Sequence, residues 1–194
     1  VASARAAQAA GLGPIKINVV VMRGINDDEI ADFAALTRDN PWHVRFIELM
    51  PVGELRELTF DHVVPTDEVL ARIRAVDMIQ PDAGPERGNG PAVYFRYPDA
   101  AGTVGVITPM THTYCERCNR VRLTADGRLR TCLFGDHEVV LRDAIRNGMP
   151  LAPLFLQALA EKPKAHELLQ MRVGGLRALS QVGGRFTTRT CVVN

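Results

Sequence analysis

Cys115 and Cys118 form a C-x-x-C pair, and Cys132 follows after a 13-residue spacer. Thiolates held this close repel one another unless a cation neutralises them, so the spacing points to a metal centre. A structural zinc site closes with four ligands, and His112, His137 or Cys191 could supply the fourth. Three thiolates without a committed fourth ligand instead suit a 4Fe-4S cluster with one iron left open. Unligated thiols are the plain alternative. Arg120 and Arg122 lie between the second and third cysteines. Guanidinium forks match phosphate oxygens, which a purely structural zinc site does not require, and an exposed strand face with solvated arginines is the plain alternative that the residues alone favour.

The segment between the thiols carries its own folding instruction. Ala125-Asp126-Gly127 is flanked by alternating residues, and Asp-Gly in that setting signals a hairpin. A two-residue loop would put Leu123 opposite Arg130. A three-residue loop with Gly127 left-handed pairs Leu123 with Leu129, Val121 with Thr131 and Arg120 with Cys132. The second register is preferred, because it gathers Asn119, Val121, Leu123, Leu129 and Leu133 on one face and Arg120, Arg122, Arg130 and Cys132 on the other.

Residues 2–10 are Ala-rich and helix-favouring up to Gly11 and Gly13. Ile15 to Met22 is a β-branched run, Asn26 or Asp27 caps a helix to about Asp39, and Val44 to Met50 is a second strand. This is a βαβ unit, and its near-continuous apolar strands imply a parallel sheet covered on both faces. Two such strands cannot close a barrel, and their open edge and apolar face invite a homodimer. Thr66 is expected to cap a helix through Val76. The stretch 81–91 holds three Pro and three Gly and reads as a loop, followed by strands at Ala92–Tyr97 and Gly102–Thr108. Residues 138–161 read as helical with a break at Gly148 and Pro150. The expected boundary lies near residue 60, between an α/β piece and an α+β domain.

At 194 residues, 46% hydrophobic and 23% charged, the composition is that of a globular protein, which excludes disordered and collagen-like classes. No stretch approaches the roughly 18 consecutive apolar residues of a membrane-spanning helix, and no signal-peptide pattern opens the chain. A soluble, cytoplasmic protein is expected. The net charge of +1 offers no global field for nucleic acid, so any anion binding must be local.

The segment TYCERCNRVRLTADGRLRTCLFG resembles the second iron-sulfur motif of the GTP 3′,8-cyclase family, radical S-adenosylmethionine enzymes that open molybdenum cofactor biosynthesis. KINVVVMRGINDDEI, VRFIELMPVG and LSQVGG resemble the same family in the same order, from about residue 14 to 184. The resemblance implies an α/β fold: residues 1–60 as the last βα elements of an incomplete TIM-like barrel, and residues 61–184 as the α+β domain with the iron-sulfur motif and the GTP site. It implies that Cys115, Cys118 and Cys132 ligate a 4Fe-4S cluster whose open iron meets the guanine. By the same resemblance Lys16, Arg120, Val121 and Arg122 contact GTP, and Met50 contacts S-adenosylmethionine. The reaction implied is GTP to 3′,8-cyclo-7,8-dihydro-GTP, with cyclic pyranopterin monophosphate synthase as the next enzyme. Alternation with Ile15, Ile17 and Val19 lets Lys16 and Asn18 face a barrel interior. Glu48, on the face of Met50, is expected to make no more than an ion pair.

Two departures accompany the resemblance. The family's radical-generating C-x-x-x-C-x-x-C motif is not matched, so the first 4Fe-4S cluster and most of the S-adenosylmethionine site are expected only in a complete enzyme, and this chain is expected to bind without catalysing. The family's terminal Gly-Gly corresponds to Gly183-Gly184, yet residues 185–194 continue, with Cys191 read as a free thiol. The competing reading is a non-catalytic zinc module in which Cys115, Cys118, Cys132 and His137 bind the metal and the arginines hold phosphate or RNA.

Overall fold

The computed structural model describes residues 1–50, 60–84, 90–166 and 192–193. Of these, residues 1–50, 60–113 and 192–193 form one compact unit and residues 114–166 a second. Residue 60, where the texture of the sequence suggested a boundary, thus lies inside the first unit.

The first unit opens with α1 (Ala2–Ala9), which Gly11 ends in the left-handed conformation at φ 74°. It continues through β1 (Lys16–Val21), a 3-10 turn at Asp27–Glu29, α2 (Ile30–Asp39), β2 (His43–Glu48), α3 (Thr66–Val76), β3 (Gln80–Asp82), β4 (Val93–Arg96) and β5 (Thr103–Ile107). The second unit holds a 3-10 turn at Cys115–Arg117, β6 (Arg122–Leu123), β7 (Arg128–Arg130), β8 (Glu138–Val140), α4 (Arg142–Arg146) and α5 (Ala152–Ala160). A last strand, β9 (Val192–Val193), returns to the first unit.

The main sheet runs β3-β4-β5-β2-β1-β9. β1, β2 and β5 are parallel, whereas β3, β4 and β9 join antiparallel to their neighbours. The strands expected at Ala92–Tyr97 and Gly102–Thr108 pair as one hairpin, β4 with β5, and this hairpin belongs to the first unit, not to the cysteine domain in which the sequence placed it. Its second strand, TVGVI, is buried at every position from Thr103 to Val106, the pattern of a strand covered on both faces. β1 and β2 depart from the expected double cover. Ile17, Val19, Val21, Val44 and Phe46 are buried with Ile30, Ala34, Val69 and Ile73 of α2 and α3, while alternate residues on the other face are half-buried. Trp42, fully buried at the start of β2, donates its indole N–H to Gln8 of α1 at 2.7 Å. The edge of β1 expected to be open pairs with β9 at Ile17 and Asn18. In the second unit, residues 138–140 form β8 against β7 instead of starting a helix, and Gly148 at φ 64° separates α4 from α5.

Glu48, expected to make at most an ion pair, is buried and organises the C-terminal end of the parallel strands. Its carboxylate accepts the Thr66 N–H at 2.9 Å, the Met110 N–H at 2.8 Å and the Thr111 N–H at 3.0 Å, and also the Thr111 hydroxyl. Thr66 is accordingly the first residue of α3 behind Pro65, and the helix start is satisfied by a carboxylate from β2, not by the Thr66 side chain. Burial alone would raise the Glu48 carboxyl, but the hydrogen bonds from Thr111, Thr66 and Met110 hold it below the ordinary range.

The native state therefore favours the Glu48 carboxylate. Its contribution is complete above the ordinary glutamate range and fades as pH falls through the depressed native value. Glu48→Gln should cost about 1.5 to 3 kcal/mol at neutral pH, the scale of charged hydrogen bonds. Urea denaturation across a pH series checks this, and the gap between wild type and variant should narrow below about pH 4, near the glutamate reference value.

Candidate functional site: a thiol and guanidinium hairpin

The C-x-x-C pair folds as a single 3-10 turn, with the Cys118 N–H donating to the Cys115 carbonyl at 3.1 Å. That turn brings residues i and i+3 onto one side, which is the purpose of the two-residue spacing. Cys115, Cys118 and Cys132 are free and half-buried. The hairpin between them adopts the expected register, with Leu123 opposite Leu129 and Arg122 opposite Arg130. Gly127 is left-handed at φ 80°, and a Cβ there would meet the Arg142 Cβ at 2.7 Å. The Thr124 hydroxyl bonds Asp126 at 2.6 Å and locks the loop.

The arginines of this hairpin part company. Arg120 is exposed and Arg122 half-buried, and among the described residues neither has a carboxylate partner. Arg130, expected beside them, is 2% exposed and committed to the turn after Cys132: its Nε donates to the Gly135 carbonyl at 2.8 Å, and its terminal nitrogens meet the Gly135 carbonyl, Asp136 at 3.3 Å and Glu138 at 3.7 Å. The expected apolar face divides similarly, since Leu129 is buried with Val139, Leu141 and Ala158 while Leu123 and Val121 are exposed.

Tyr114 escaped the motif reading and sits electrically at the centre of the segment. Burial pushes its phenol above the ordinary value, the Cys118 sulfur adds to the rise, Arg122 and Arg120 oppose it, and Cys115 contributes further. His137, the fourth ligand of the zinc reading, has its Nε2 on Glu161 at 2.9 Å, and His112 pairs with Asp67 at 3.0 Å. Among the described residues no group of three His, Cys, Asp or Glu stands ready to hold a metal ion. Cys191 and Gly183-Gly184 lie outside the described residues.

In the first unit, Lys16 and Asn18 share the sheet face turned away from α2 and α3 with His43 and Arg45 of β2. The Arg45 guanidinium donates to the Asn18 side-chain oxygen at 2.7 Å, and His43 Nδ1 meets the Thr103 hydroxyl at 2.8 Å. Burial, followed by Lys16, Arg96 and Arg45, lowers the His43 pKa, which registers a cationic face. Arg45 was missed because its neighbours in sequence are apolar; strand alternation opposite Lys16 and Asn18 was the available signal. Met50, half-buried, follows Glu48 and the buried Leu49 at the end of β2.

A mixed sheet with three parallel strands and their helices makes this an α/β protein. Residues 42–168 match the family model described as Molybdenum Cofactor Synthesis C, and the chain belongs to that family. It is 48% identical over 184 residues to the GTP 3′,8-cyclase of Moorella thermoacetica, covering 93% of this chain and 56% of the relative. To the GTP 3′,8-cyclase of Pelotomaculum thermopropionicum it is 45% identical over 179 residues, or 90% of this chain and 54% of the relative. The Heliobacterium modesticaldum enzyme of the same name is 45% identical over 183 residues, with 92% and 56% covered. The chain thus spans about half the length of these relatives. Among the described residues no helix is long and apolar enough to cross a membrane.

The division among the arginines is testable. Arg130→Met strips the Gly135 carbonyl of its guanidinium donor and leaves the largely buried Glu138 carboxylate with Arg128 but without its second guanidinium, so it should destabilise the hairpin unit by about 2 to 4 kcal/mol. Arg120→Ala should change stability by less than about 0.5 kcal/mol. Hydrogen exchange across residues 128–140 distinguishes the two.

Proposed function

We propose that this chain supplies the GTP-binding, second-cluster half of a GTP 3′,8-cyclase, acting in the cytoplasm in the conversion of GTP to 3′,8-cyclo-7,8-dihydro-GTP. The observation that carries the reading is the hairpin unit itself, in which the turn at Cys115–Cys118, the half-buried Cys132 and the uncommitted Arg120 and Arg122 occur together in a chain similar to enzymes of that name over nine-tenths of its length.

The chemistry of the donor set supports a cluster over zinc: all three thiols are free and in one unit, the Cys115–Cys118 turn is closed by a backbone hydrogen bond, and the His137 of the zinc knuckle is paired with Glu161, although among the described residues the thiols are not gathered as a metal-holding group. Cys115, Cys118 and Cys132 would hold a 4Fe-4S cluster, which when bound supplies an open iron as Lewis acid and anchor for the guanine. The protein's own part is positioning. Arg120 and Arg122 bind and orient the substrate's anionic end through paired N–H donors, with the Val121 backbone between them. Lys16 is assigned to GTP and Met50 to S-adenosylmethionine. In this reading β1 and β2 are the last strands of an incomplete TIM-like barrel, consistent with their parallel pairing and with a polar face bearing Lys16 and Asn18. S-adenosylmethionine activation at a first 4Fe-4S cluster belongs to the complete enzyme. A homodimer, and consumption of the product by cyclic pyranopterin monophosphate synthase, complete the proposal.

Prepared anaerobically with iron and sulfide, the chain should take up about four of each. Arg120→Ala and Arg122→Ala should each weaken GTP binding by about 1.5 to 3 kcal/mol while iron content is retained. Calorimetric titration and iron analysis decide it: chelation-resistant zinc in place of iron, or GTP affinities within about 0.5 kcal/mol of wild type, would overturn the respective assignments.

A further inference from the structure

Lys162 lies one residue past the Glu161 that caps α5, and its ammonium reaches back to the thiol segment. Nζ donates to the Cys118 carbonyl at 2.7 Å and to the Arg120 carbonyl at 2.9 Å, and lies 3.7 Å from the Cys118 sulfur. It stands 44 positions from Cys118 in sequence. A cation at a helix C-terminus is favoured by the helix dipole, so the placement suits α5 as well as the loop. The neighbouring Glu161 holds His137 at 2.9 Å, so two consecutive residues at the end of α5 grip both the segment carrying Cys118 and the segment that follows Cys132.

An ammonium has three donors and no fixed plane, which lets it serve two carbonyls and a sulfur together. Fixing the carbonyls of residues 118 and 120 fixes the peptide planes that follow Cys118 and Arg120. Those planes set the directions in which the Cys118 thiol and the Arg120 guanidinium leave the backbone. The exposed backbone here has no ladder of its own, since β6 begins at Arg122.

We propose that Lys162 is a positioning residue for the thiol and guanidinium site, setting the aim of Arg120 toward its anionic ligand and placing a positive charge beside the Cys118 sulfur. The inference rests on the reading of Cys115, Cys118 and Cys132 as cluster ligands and of Arg120 and Arg122 as GTP contacts. It assigns the residue two separable consequences. Loss of the ammonium loosens Arg120 and weakens GTP binding, and it withdraws positive charge from a ligating sulfur, which makes reduction of the bound cluster harder.

The experiment uses the full chain, reconstituted anaerobically with iron and sulfide. Wild type is measured first, and a wild type that takes up neither iron nor GTP overturns the parent reading before Lys162 is touched. With iron and GTP bound by wild type, Lys162→Met should keep the iron content, raise the GTP dissociation constant roughly fivefold or more, and move the reduction potential to more negative values. Lys162→Arg should return both toward wild type, which a loss of packing alone would not explain. If Lys162→Met fails to fold by circular dichroism, Lys162→Gln, neutral and close in length, takes its place with the same expected direction. A folded neutral variant with wild-type GTP affinity and wild-type potential overturns the proposal.

Discussion

A buried carboxylate holds the first unit in register. Parallel strands need long crossovers, and nothing in the strands themselves decides where a crossover returns. Glu48 decides it at one end of the sheet: from the last residue of β2 it accepts the first N–H of α3 and the backbone N–H groups of Met110 and Thr111 just past β5. The start of the crossover and the exit of the strand it leads to are thereby tied to one side chain. Taking that charge out of water is costly, and the hydrogen bonds have to offset it together, so loss of any one donor leaves the others holding a poorly solvated anion. The lowered carboxyl pKa is the sign that they do.

The second unit depends on the same kind of contact for a different reason. Among the described residues its buried cluster is Leu129, Val139, Leu141 and Ala158 with Leu154 against it. Polar pins tie the surrounding segments together. Arg130 holds the turn after Cys132 through the Gly135 carbonyl, the Thr124 hydroxyl closes the hairpin, and Lys162 and Glu161 draw the ends of the thiol segment to α5.

What could be read from the sequence was local. The Asp126-Gly127 turn dictated the hairpin register, and alternation put Lys16 and Asn18 on one face. What escaped was set by partners far away in the chain. TVGVI carries the signature of a doubly covered strand, but only its pairing with β2 moves the hairpin out of the cysteine unit. The β-branched pair Val139-Val140 lies among residues that also suit a helix, and the edge of β7 decided for strand. Glu48, Arg130 and Lys162 each look like ordinary surface charges in sequence, and their roles follow from backbone groups 5 to 63 positions away.

The fate of Arg120, Arg122 and Arg130 shows how one strand pattern divides labour. Arg122 and Arg130 face each other across the ladder, and like charges opposite one another are unfavourable unless one is neutralised. Arg130 is neutralised from its own strand's continuation, by Asp136 and Glu138 and by the Gly135 carbonyl. That commitment buries it and fixes the segment leaving Cys132. Arg122 keeps its charge on the side of the ladder leading to Cys118, and Arg120, two residues earlier and exposed, keeps the same parity. The pairing of like charges therefore separates a structural guanidinium from two that, among the described residues, have no carboxylate partner, on the same hairpin that joins Cys118 to Cys132.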